Sequence, residues 1–151
     1  MKTCKIVFPT SVIAEIQYLT DKCDNEVGGL LGFVFLPSNV LYCKNIISMS
    51  GSKHSSSYFE IPEDIVAKKM IELMEAGKAF AVNGWWHSHV NMNVWLSHED
   101  NNTIDMLKKY SNLIVSIVIN KKGEIYRRID IGEVSIDDVD IAIDLERRCE
   151  K

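Results

Sequence analysis

Apolar positions recur along this chain at two spacings, and the switching between them predicts strands interleaved with helices. Thr3 to Phe8 reads as a short strand, and from Pro9 to about Lys22 the apolar residues Val12, Ile13, Ile16 and Leu19 fall at helical spacing. Gly29–Leu36 and Val40–Met49 are two strand-like runs around a Pro37-Ser38-Asn39 turn, which predicts a hairpin. The polar stretch Ser50–Ser57 predicts a mobile loop that could act as a flap beside a substrate. Tyr58–Ile61 reads as a further short strand. Pro62 opens a helix with Glu63 and Asp64 in its first turn, a stripe of Val66, Met70, Leu73 and Met74, and Gly77 past its end. Ala79–His89 reads as a central strand, followed by an irregular loop. Ser97 to about Tyr110 reads as a helix turning Ile104, Leu107 and Tyr110 inward. Leu113–Asn120 and Glu124–Ile131 predict a second hairpin, with Gly123 free to take a positive φ in its turn. Near the end, VDIAIDLERR fits helix and strand alike.

Interleaved elements with two hairpins predict an α/β fold: a three-layer sandwich, its mixed central sheet flanked by helices. At 151 residues the chain corresponds to a single domain, residues 1–151, and can bury a core without staples. Apolar residues make up 46% of it and charged residues 25%, as in folded globular domains. A net charge of -4, with basic residues only in short pairs such as Lys68-Lys69 and Arg127-Arg128, argues against a nucleic-acid partner. The longest apolar stretch, Val27 to Leu36, is too short to span a bilayer, and the first residues lack the apolar run of a secretory signal. Cys4, Cys23, Cys43 and Cys149 are scattered without a CxxC pair, which suits reduced thiols in a cytoplasmic protein.

Three of the four histidines fall between His87 and His98. Residues two apart on a strand face the same way, so His87 and His89 can aim both imidazoles at one ion. Zinc takes such nitrogens in tetrahedral geometry, and a catalytic site adds a third protein ligand and leaves the fourth position to water. Asp100 is placed for that third role. With Ser97 as N-cap it lies one turn into the helix, where its carboxylate can fold back towards the histidine strand. Each signal has a plainer reading: His-x-His alone is weak, Ser97-x-x-Asp100 is also a capping box, and His98 reads as a solvent-facing residue.

His-x-His, seven residues, then Ser-x-x-Asp resembles the signature of the JAMM/MPN+ zinc metalloproteases, and His87, His89, Ser97 and Asp100 fill its slots. Gly84-Trp85-Trp86-His87-Ser88-His89 is similar to that family's approach to the histidines. Glu26-Val27-Gly28-Gly29-Leu30-Leu31-Gly32 is similar to its Glu-x-x-Gly-x-Leu-Gly segment. The resemblance runs from about residue 5 to residue 130 and points to the short stand-alone bacterial or phage branch. It departs at Val90, where the family usually carries proline.

What the resemblance implies is a fold akin to that of the cytidine deaminases, and one zinc ion per chain on His87, His89 and Asp100. It further implies Glu26 as general base, Ser97 as donor to the oxyanion, and an amide or isopeptide bond as target. The expected substrate is a protein or peptide, with a ubiquitin-like or small carrier protein cut at or near its C-terminus as the class implied. Trp85 or Trp86 is expected in the core, and Trp95 is a candidate for lining a substrate groove. Two rival classes stand beside this one. A non-catalytic scaffold of the same fold typically lacks the ligands that this chain keeps. A zinc deaminase wants a Pro-Cys-x-x-Cys pair, and none occurs.

Overall fold

The computed structural model describes residues 4–47, 53–54, 59–77 and 82–144. In chain order the elements are β1 (Lys5–Pro9), α1 (Thr10–Lys22), β2 (Gly28–Leu36), β3 (Val40–Ile47), β4 (Lys53–His54), β5 (Phe59–Glu60) and α2 (Glu63–Glu75). There follow β6 (Gly84–Ser88), α3 (His98–Leu107), β7 (Leu113–Ile119), β8 (Ile125–Ile131), β9 (Val134–Ile136) and β10 (Asp140–Asp144). Eight strands form one sheet in the order β10-β1-β3-β2-β6-β7-β8-β9, and β4 pairs with β5 separately. β1 runs parallel to both β10 and β3, and β6 runs parallel to β7. The β2–β3, β2–β6, β7–β8 and β8–β9 pairs are antiparallel, so the sheet is mixed as expected.

Strand alternation divides the core in two. Leu31, Phe33, Trp86, Val115 and Ile117 pack on one face with Val12 and Ile16 of α1. Fully burying each such side chain contributes roughly 1.5–3 kcal/mol. Leu30, Trp85 and Ile114 point to the other face, against Val66 of α2 and Ile104 and Leu107 of α3. Both adjacent tryptophans are therefore core residues, one on each side. Helices on both faces make the three layers.

Two features fix β6 at the centre. A Cβ on Gly84 would come within 2.6 Å of the Phe33 ring, so only glycine lets β2 and β6 approach there. The Asn83 carboxamide bonds both the N–H (2.7 Å) and the C=O (2.9 Å) of Phe33, acting as an extra rung where the β2–β3 register shifts.

The structure departs from the periodicity at several ends. β6 is shorter than the run expected from residue 79, of which 79–81 lie outside the described residues. Met74 is exposed, although its neighbour Leu73 packs on the core, and α3 stops at Leu107, leaving Tyr110 at the surface. Within the polar stretch expected to be a loop, Lys53 and His54 pair with Glu60 and Phe59, and the rest lies outside the described residues. The ambiguous tail contains β10, paired with β1 from Asp140 to Asp144.

Candidate metal centre

The parallel pair β6–β7 requires a crossover, and α3 supplies it, bringing its N-terminus over the carboxyl end of β6. All five residues of β6 are buried. His87, opposite Gly28 of β2 and Val118 of β7, points to the α3 side and stacks on Trp85 (centroids 5.0 Å, planes 17° apart). Trp85 is itself fixed by a 2.8 Å bond from Nε1 to Ser116 Oγ. His89 lies just past the strand and continues its pairing through a backbone bond to Ile119 O (2.8 Å). The two imidazoles lie 4.9 Å apart, centre to centre, and both are buried.

Asp100 reaches them from α3. Ser97 caps the helix: its Oγ accepts from Asp100 N (3.1 Å), and its own N–H donates to Asp100 Oδ2 (2.8 Å). This reciprocal box satisfies two donors that a helix start leaves open, and it also fixes the carboxylate rotamer. Asp100 Oδ1 then lies 3.0 Å from His87 Nε2, and Oδ2 lies 3.6 Å from His89 Nε2. The same geometry that caps the helix sets the Asp100 carboxylate beside both imidazoles. His98, as expected, is exposed.

Glu26 comes from the segment entering β2. That segment is tied to β6 at Ser88, whose Oγ accepts from Val27 N (3.1 Å) and whose N–H donates to Val27 O (2.8 Å). The glutamate is buried, with Oε1 3.5 Å from His87 Nδ1. Ligand-capable atoms of Glu26, His87 and His89 all lie within 4.8 Å of one another. Two donor sets therefore share the imidazoles, one completed by Glu26 and the other by Asp100.

Hydrogen-bond chemistry fixes which nitrogens are available. His89 Nδ1 lies 2.8 Å from Asn93 O, and a carbonyl only accepts, so Nδ1 carries a proton and Nε2 is the nitrogen turned towards Asp100. His87 Nδ1 faces Ser88 O (3.3 Å) and Glu26 Oε1, while its Nε2 faces Asp100 Oδ1. With acceptors on both sides, the ring needs either two protons or one proton and a cation. Burial opposes the charged ring, but Asp100 and Glu26 outweigh it and push the His87 pKa up to about 9. Burial likewise opposes ionised Asp100, yet His87, His89 and the Ser97 N–H hold it well below the usual carboxylate range. A buried set of two imidazoles and two carboxylates suits zinc, which would replace the Nε2 proton of His87. The residues fit the ion.

A family model described as JAB1/Mov34/MPN/PAD-1 ubiquitin protease matches residues 5–112. The chain belongs to this family. Among its curated relatives, ubiquitin carboxyl-terminal hydrolase RPN11 of Saccharomyces cerevisiae is 29% identical over 115 residues, or 71% of this chain and 38% of the relative. The 26S proteasome non-ATPase regulatory subunit 14 of Caenorhabditis elegans is 28% identical over 95 residues, or 63% of this chain and 30% of the relative. The JAB/MPN chain thus spans well under half the length of these proteins. The solution structure of protein DSY2949 from Desulfitobacterium hafniense superposes with a TM-score of 0.69 at 15% identity, covering 95% of this chain and 96% of that one. That likeness concerns the fold alone.

Where members of the JAMM/MPN+ group usually carry proline, this MPN chain has Val90 at φ 54°. Proline is locked near −65°, so the turn after His89 has its own shape here. Met92 N donates to His89 O (2.9 Å), and of the two central residues only Val90 has positive φ, as in a type II′ turn. Trp95, further along the loop, is 52% exposed and sets its ring edge-on to His89 at 5.8 Å. Residues 119–121, which bond this loop from the end of β7 and the turn after it, were not legible as part of the site. Asn120 before Lys-Lys-Gly signals a turn but gives no hint of its distant partner.

Proposed function

We propose that the chain is a zinc-dependent metallopeptidase that hydrolyses an amide or isopeptide bond. The observation that carries this reading is the convergence of His87, His89 and Asp100 at the end of β6. His89 has only Nε2 free for an ion, and Asp100 faces that nitrogen as well as Nε2 of His87, which favours Asp100 over Glu26 as third ligand. Held there, zinc would supply a water acidified to near neutral pH and a Lewis acid for the carbonyl.

Glu26, buried on the Nδ1 side of His87, is then left to act as base. Its carboxylate takes the proton released on attack and passes it to the leaving amine, so the amine departs neutral. Ser97 Oγ uses a lone pair to cap α3, and its hydroxyl hydrogen remains to donate to the developing oxyanion. Trp95 offers an exposed apolar surface beside His89 for the substrate chain.

One relative named as a ubiquitin carboxyl-terminal hydrolase, with a family described as ubiquitin protease, supports a protein or peptide substrate, cut near the C-terminus of a ubiquitin-like or small carrier protein. A reducing, cytoplasmic setting belongs to the same proposal. Cys4, Cys23 and Cys43 are free, and among the described residues no helix is long and apolar enough to cross a membrane. The rival reading, a non-catalytic interaction scaffold, leaves the buried donor set without a purpose.

Metal analysis should find about one zinc per chain, lost in His89→Ala and in Asp100→Ala. Glu26→Gln should keep the zinc and abolish cleavage of ubiquitin-like fusions. Full activity in that variant would remove Glu26 from the mechanism, and a metal-free parent would leave the scaffold.

A further inference from the structure

We propose that Asn120 is a positioning residue for His89, acting through the loop that follows β6. The proposal rests on the reading of His89 as a ligand. Asn120 is fully buried although it is a polar residue at the end of a strand. Its carboxamide is used on both sides. Nδ2 donates to Met92 O (3.0 Å) and Glu124 Oε1 (2.7 Å), and Oδ1 accepts from Lys122 N and Glu124 N, both at 3.0 Å. A carboxamide, with two N–H donors and an oxygen that accepts twice, makes all four bonds with one side chain.

The neighbours of Asn120 grip the same loop. Ile119 O accepts from His89 N (2.8 Å), and Lys121 N donates to Val90 O (2.7 Å). Three consecutive residues thus hold His89, Val90 and Met92. Between these anchors Val90 sits at φ 54°, a conformation that a β-branched residue avoids. Such backbone is strained and persists only where its surroundings over-determine it. The next link is short. Met92 O is bonded to Asn120, and the following carbonyl, Asn93 O, accepts from His89 Nδ1 at 2.8 Å. Fixing Met92 therefore fixes the acceptor that sets the tautomer and ring plane of His89, the kind of outer support that ligating histidines use.

Asn120→Asp, made in a Glu124→Gln background so that no second carboxylate faces it, tests this, because it keeps the acceptor for the Lys122 and Glu124 N–H groups and removes the donor to Met92 O; the Glu124→Gln chain is its reference. Zinc affinity, measured by competition with a chelating dye, should fall at least about tenfold. In the metal-free protein, the hydrogen-bonded Nδ1–H resonance of His89 should disappear from spectra of histidine-labelled material. A folded variant with both readouts unchanged overturns the proposal. If the parent binds no zinc, the reading of the centre fails, and the resonance still decides the role of Asn120. If the variant does not fold, amide exchange in the parent decides. Zinc should slow exchange at Lys121 N–H by linkage, and equal rates with and without zinc overturn the idea.

Discussion

His87 is the residue on which the local electrostatics turn, since each ring nitrogen meets an oxygen acceptor and water is excluded. Its folded pKa, pushed up to about 9 once Asp100 and Glu26 outweigh burial, exceeds the unfolded value of about 6.5. The stabilisation is therefore fully present below about pH 6.5 and is lost as pH rises through 9. Urea denaturation of chelator-treated protein should show stability declining across that window, and a flat profile would mean the ring stays neutral when folded. Val90 gives a second test. Val90→Pro restores the residue common in the family, but proline cannot adopt φ 54°. It should destabilise the chain by more than about 1 kcal/mol by urea titration. Equal stability would mean that the turn does not need its positive φ.

At the scale of elements, α3 is both a cover for the sheet and the mount for Asp100. Ser97→Ala removes the Oγ that accepts from Asp100 N and should cost about 1 kcal/mol in metal-free protein, with Ser97→Thr recovering most of it. A loss in the alanine variant that threonine does not recover would point to something other than the cap. Much of this element, and of α1 and the two hairpins, was legible because their apolar periods and turn residues are local signals. The pair His87 and His89 was legible for the same reason, since strand alternation alone puts both on one face. β10 was not, because the same apolar spacing fits either state, and the strand is settled by its partner β1, more than a hundred residues away. Asn120 was hidden likewise: its bond to Met92 joins segments that no sequence window contains. Asn83 lies inside the run expected as a strand, but nothing local shows that its side chain serves as a rung of the sheet.

Across the whole molecule, the centre draws on three stretches: Glu26 before β2, His87 to Asp100 from the end of β6 into α3, and the β7–β8 turn. All lie at one end of the sheet, the end where β2 begins. β2 then runs nine residues away from it, about 30 Å at 3.3 Å per residue. Its far end is the Pro37–Asn39 turn, where Ser38 and Asn39 take positive φ and Pro37 and Ser38 are exposed. This separation makes the turn a natural docking port for foreign sequence. A short epitope tag spliced between Pro37 and Ser38 should leave metal content and hydrolysis at parental levels, while the same tag between Asn91 and Met92 should abolish both. The protein could then be immobilised or labelled by that tip with the histidine end facing outward.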